Sequence, residues 1–212
     1  MITLDWVTMN RNPSIIKPMS ENTRDESGIQ RHCMLDLETL AVRPHAAIVA
    51  IGAAAFSRQE GIVSMMQLPM LNINDGVPSQ FDVDISTLDW WSGQSDEVKF
   101  QGTYDISNEL DAFGERLNQF TEWFQRYNCR WVWGNGATFD NVILRHAYDV
   151  FPDKKAPWNY RDDRCFRTLA NVFNINVKVG EFEGTPHIAA HDAVHQAKCL
   201  LDSDWKDERY GD

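Results

Sequence analysis

Cysteine is sparse and scattered. Cys33, Cys129, Cys165 and Cys199 are the only four in 212 residues, and no two form a C-x-x-C pair. Thiolate zinc sites and dithiol redox motifs that need such spacing are excluded, and reduced thiols in a cytoplasmic setting are expected. Basic residues are also in deficit. Twenty Lys and Arg face 31 Asp and Glu, a net charge of -11. The whole surface therefore repels a polyanion, although bound cations reverse the sign of a small site. No apolar run reaches the length of a membrane span; the longest, "AAIVAIGAAAF", covers about half of one. The first twenty residues lack the apolar centre of a signal peptide. No membrane partner is expected. Internal repeats and low-complexity tracts are likewise missing.

What is there suits one packed domain. The chain is 43% hydrophobic, with eight Trp and eleven Phe. Residues 1–30 are polar and broken by Pro13, Pro18 and Gly28, which predicts a flexible N-terminal extension before a domain over 31–212. Within that domain "HCMLDLETL", "AAIVAIGAAAF" and "VSMMQLPML" read as strands. "ISTLDWWSGQS" reads as a short helix. Residues 107–128 read as a long one, with Leu110, Phe113, Leu117, Phe120, Phe124 and Tyr127 on one face. "RWVWGNG" is a fourth strand. "TFDNVILRHAYDVF" is a helix capped by Thr138, and "DRCFRTLANVF" and "AVHQAKCLLDSDW" supply two more. The class is α/β, a mixed β-sheet flanked by helices.

Chemistry concentrates in carboxylates. Asp36 and Glu38 lie two apart on a strand and so share a face. Buried there they need a proton or a cation; at a solvated strand end they need neither. Asp140 stands in the first turn of a helix after "WGNG", where open α/β sheets bind ligands, or where it simply complements the helix dipole. Asp192 opens another helix. Four oxygen ligands without thiolates suit Mg²⁺ or Mn²⁺, and two such ions can clamp a phosphodiester.

The stretch "GTPHIAAHDAVHQA" spaces His187, His191 and His195 four apart. On a continuous helix they would form one stripe, a candidate zinc site for a hydrolase. The alternative is one catalytic histidine beside Asp192, with two bystanders.

"MLDLETL", "WGNGATFDNVILRHAYD" and "HIAAHDAVHQA" resemble the three motifs of DnaQ-like 3'→5' exonucleases of the DEDDh type. The likeness extends to the compact branch containing phage exonuclease A and the mycobacterial-type exoribonucleases, and spans about Arg31 to Trp205. It implies a ribonuclease-H-like sheet and metal-dependent cleavage at the 3' end of DNA or RNA, with a slight lean to DNA. Asp36, Glu38, Asp140 and Asp192 match the acids that hold two ions, and His187 matches the general base, on a mobile loop. His195 should face away from the metals. Thr39, Leu40, Asn135, Phe139, Asn141 and Trp91 become candidate substrate contacts. Cys165 stands where relatives commonly carry an acid. Family members include dimers, so a homodimer is compatible, in a bacterial cell or a phage-infected host. A non-catalytic nucleic-acid-binding module of the same fold would lack one of the acids or His187; all five are present.

Overall fold

The computed structural model describes residues 28–101, 106–177 and 182–205. The expected N-terminal extension, apart from residues 28–30, lies outside them. Strands β1 (Arg31–Thr39), β2 (Ile48–Ser57), β3 (Gly61–Pro69), β4 (Cys129–Gly134) and β5 (Asp163–Cys165) form one sheet in the order β3-β2-β1-β4-β5. The first three pair antiparallel as a meander, while β4 runs parallel to β1 and β5 parallel to β4. The mixed sheet follows from the connections: short turns join β1 to β3, and helical crossovers precede β4 and β5. The apolar run at β2 is buried at every position, as its composition requires between two neighbouring strands and two helical layers.

Among the described residues six α-helices accompany the sheet: α1 (Ile85–Ser92), α2 (Asp96–Phe100), α3 (Leu110–Arg126), α4 (Asp140–Asp149), α5 (Phe166–Val172) and α6 (Ala189–Leu201). The period of two along β1 sorts them onto opposite faces. Leu35 and Leu37 pack with Phe113, Leu117 and Phe120 of α3 and with Ile143 of α4. Met34 packs on the other side with Ala54, Ala193 and Ala197, under α6. Asp36 and Glu38 continue the Met34 face, so they project toward the layer that carries Asp192.

Three boundaries differ from the sequence reading. The long helix begins at Leu110 rather than residue 107, because Ser107 uses its hydroxyl to accept the Glu109 N–H in the preceding turn, at 3.1 Å. Thr138 does not cap α4: Phe139 precedes the helix and Asp140 is its first residue. "DRC" forms β5 instead of the start of a helix. Three residues carry too little periodicity to announce a strand; its pairing with Val132, Trp133 and Gly134 makes it one.

One glycine decides how closely α6 can lie. Gly52 pairs with Asp36 across β1 and β2. A side-chain carbon there would overlap the backbone of Ala189 and Ala190. Bare backbone at Gly52 lets the start of α6 rest directly on the sheet, and small Ala193 and Ala197 continue the contact over Ala54. Gly52→Ala is therefore expected to lower the unfolding free energy by about 1–3 kcal/mol in urea titrations. Gly76→Ala, where a side chain meets open space, is the matched control and should change it little.

Candidate active site

The acids converge. One carboxylate oxygen each from Asp36, Glu38 and Asp192 lies within 4.8 Å of the other two. These three are the set of His, Cys, Asp or Glu side chains that, among the described residues, has metal-ligand spacing. Asp140 adjoins the set: its Oδ1 accepts the Leu37 N–H at 3.1 Å, between the two acids of β1. Its Oδ2 is buried without a hydrogen-bond partner. Gly134 admits it, since a side chain there would come within 3.0 Å of the Asp140 Cβ and Oδ2. The β4–α4 turn can thus fold tightly against the sheet edge, where the parallel strands end.

Burial and mutual repulsion set the electrostatics. Asp36 is pushed well above the usual carboxylate range by burial, then by the charges of Asp140, Glu38 and Asp192. Gln196 opposes the shift by donating from Nε2 to Asp36 Oδ1 at 2.7 Å. Glu38 rises to about 8, through burial and the charges of Asp192 and Asp140. Asp140 rises to about 7 through burial, restrained by backbone N–H groups, including that of Leu37, and by the Arg167 charge. Asp192 is also raised by burial, against the His187 N–H and the neighbouring histidines. Only cations or protons relieve such a cluster. The all-oxygen donor set and the orphaned Asp140 Oδ2 both fit hard divalent ions.

The histidines part company. His187 precedes α6 with φ 67°, so the three cannot form one helical stripe, and the zinc reading fails on geometry. The His187 N–H donates to Asp192 Oδ2 at 2.7 Å, and its exposed ring meets Trp90 edge to face, centroids 5.1 Å apart. The His191 Nδ1 accepts the Thr185 N–H at 3.0 Å. His195 points elsewhere, its Nε2 lying 2.8 Å from the Val177 carbonyl and its ring against Phe182.

The expected substrate contacts fare unevenly. Trp91 is buried and donates from its indole to the Thr39 carbonyl at 2.9 Å, so its ring offers no open face. Its neighbour Trp90 is 42% exposed beside His187. Thr39 and Leu40 are buried, and the Thr39 hydroxyl is committed to the Ala41 carbonyl. Asn141 turns inward, its amide donating to the Val132 carbonyl and to Asp163. Phe139 packs on the core, whereas Asn135 helps to hold Asp140 through its backbone N–H. Asp163, which also accepts from Trp158 and pairs with Arg145, supplies an acidic support two residues before Cys165 on β5.

Gln196 went unread in the sequence, although its place four residues after Asp192 puts it on the same helix face. Gly52 and Gly134 carried the general signal of glycine in a strand, a close backbone approach. Gln67 and Gln101, described below, carried none.

The raised acids fix a pH dependence. The folded chain holds protons that the unfolded chain releases, so their stabilising contribution is complete at low pH. It is lost progressively as pH rises from the ordinary carboxylate range, where the unfolded chain ionises, up to about 7 for Asp140 and about 8 for Glu38. Without divalent ions, the melting temperature should fall across that range. Mg²⁺ or Mn²⁺ should restore it, more at higher pH, because ions and protons compete for the same oxygens. Melting curves indifferent to both pH and metal would contradict this site.

Comparison with known proteins adds a lineage. Exonuclease I of E. coli, in complex with a 5cy-dA13 oligonucleotide, superposes with a TM-score of 0.52 at 11% identity. The superposition covers 82% of this chain and 40% of that one, so the present chain spans well under half of it. Pop2p of S. pombe, in its Mg²⁺- and Mn²⁺-bound form, gives 0.52 at 13% identity, covering 80% and 81%. Both share the ribonuclease-H-like fold. The search of curated proteins gave no match. Among the described residues no helix is long and apolar enough to cross a membrane. A family model matches residues 31–203, and the chain belongs to the family of Rv2179c-like 3'-5' exoribonuclease domains.

Proposed function

We propose that this chain removes nucleotides one at a time from the 3' end of a nucleic acid by hydrolysis of the terminal phosphodiester. The observation that carries the reading is the meeting of Asp36, Glu38 and Asp192 within 4.8 Å, with Asp140 adjoining and an exposed His187 tied to Asp192. In this reading the four acids hold two divalent ions. When bound, those ions supply Lewis-acid activation of water and neutralise charge on the phosphate. His187 accepts the proton of the attacking water through its imidazole. The water oxygen joins phosphorus, the bond from phosphorus to the 3' oxygen of the preceding nucleotide breaks, that oxygen takes a proton from solvent to become the new 3'-hydroxyl, and a nucleoside 5'-monophosphate is released. Gln196 keeps Asp36 oriented, leaving its second oxygen available.

Trp90, rather than Trp91, is the aromatic face open to the terminal base, and stacking there contributes about 1–3 kcal/mol. Arg167 leans over Gly136 near Asp140 and is the cation placed to meet the phosphate backbone. Arg161 and Arg164 are occupied locally, by Tyr160 and by backbone carbonyls. The family description supports RNA as the polymer over the lean to DNA that the motifs suggested.

The test uses 3'- and 5'-labelled RNA and DNA, single- and double-stranded, with Mg²⁺, Mn²⁺ or chelator. Stepwise shortening from the 3' end is expected, faster on RNA, and abolished by chelation and by Asp36→Asn. His187→Ala should lower kcat by about 10²–10⁴-fold. Cleavage of a circular substrate would remove the exonuclease reading and spare the metal site. Binding without cleavage in all conditions would favour a non-catalytic module.

A further inference from the structure

Two glutamines from outside the acidic cluster converge on the segment that carries His187. Gln67 projects from β3, and Gln101 follows α2 with its backbone in the left-handed region at φ 37°. The Gln67 Nε2 donates to Gln101 Oε1 at 2.9 Å, and the same oxygen accepts the Ala189 N–H at 3.2 Å. The Gln67 Oε1 accepts the Ala190 N–H at 2.8 Å. The remaining donor, Gln101 Nε2, reaches the His187 carbonyl at 2.7 Å. Flipping either amide would set N–H groups against N–H groups, so the polarity of the chain of bonds is fixed.

This arrangement replaces an ordinary helix cap. The first N–H groups of a helix have no partner within it, and Ser, Thr, Asp or Asn at the N-cap normally supplies one. Ile188 occupies that position in α6, buried in the core and without a side-chain acceptor. The amides of Ala189 and Ala190 are satisfied instead by glutamines 88 and 123 positions away in sequence. A local cap would serve α6 alone; this one also grips His187. That residue needs a grip, because a side chain at φ 67° sits in a backbone region that costs free energy unless its surroundings hold it.

We infer that Gln67 and Gln101 are positioning residues for His187: they clamp its carbonyl and the start of α6 together, so that the imidazole stands at the acidic cluster. The inference rests on the reading of His187 as general base. In the clamped state both sides of the residue are fixed, the N–H by Asp192 and the carbonyl by Gln101. The base and an acid of the cluster then move as one unit, and a proton acceptor displaced by an ångström is a poor one.

The test compares Gln101→Met, Gln67→Met, His187→Ala and the double variant Gln101→Met with His187→Ala. Assays run below each variant's melting temperature, with far-UV circular dichroism matched to the parent. Gln101→Met is expected to lower kcat by about 10–100-fold, with KM for the oligonucleotide and Mn²⁺ affinity within about twofold. Gln67→Met should act in the same direction and more weakly. On the His187→Ala background, Gln101→Met should change kcat by less than about twofold, since two residues acting through one step are not additive. An unchanged kcat in Gln101→Met beside a crippled His187→Ala overturns the clamp and leaves the base assignment standing. So does the same fall repeated on the His187→Ala background, or a collapse of Mn²⁺ affinity. Full activity of His187→Ala sinks the base assignment itself, and the clamp with it. If Gln101→Met fails to fold, Gln67→Met carries the same comparison.

Discussion

Repulsion among carboxylates in a common buried space is the constraint on which this structure depends. A lone acid at a strand end costs little; four of them facing one another, Glu38 and Asp140 buried and Asp36 and Asp192 half-buried, oppose one another's ionisation unless cations join them. The fold nevertheless creates this conflict with care. Gly52 lets α6 descend onto the sheet, and Gly134 lets Asp140 come in beside Leu37. The register between β1 and β2 also shifts at Glu38 and Thr39, beside the site. The two glycines bring negative charge closer together, a conflict that cations or protons relieve. With basic residues in deficit across the chain, divalent ions are the positive charge that our proposal assigns to this site.

The start of α6 is where stability and chemistry are joined. Asp192 belongs to the acidic set, Gln196 one turn later steadies Asp36, and His187 just before the helix binds Asp192 through its N–H. Hydrophobic burial of Ala193, Val194, Ala197 and Leu200 holds that helix to the sheet. A packing defect below α6 therefore disturbs Asp192, Gln196 and His187 together, although none of them is replaced.

Much of this was legible in the sequence, for identifiable reasons. Alternation exposed β1 and its paired acids, a long apolar run exposed β2, and steps of three and four exposed α3. Motif resemblance linked acids that lie more than 150 residues apart, from Asp36 to Asp192. What stayed hidden depended on tertiary contact. β5 exists through its pairing with β4, and burial sorted Trp91 from Trp90 by which side of α1 each occupies. Asn141 looked like a substrate contact beside Asp140, yet its neighbours Val132 and Asp163 claim its amide. Gln67 and Gln101 lie on segments with no pattern relating them to His187, so only the folded chain relates them.

The most direct measurement is calorimetric titration of the apo chain with Mn²⁺ near neutral pH, in buffers of different ionisation enthalpy. If the acidic cluster is a cation site whose protons are displaced on loading, binding should release protons, fewer as the pH is raised, and Asp36→Asn should weaken it. No binding at millimolar Mn²⁺, or binding that releases no protons and is indifferent to Asp36→Asn, would contradict the account.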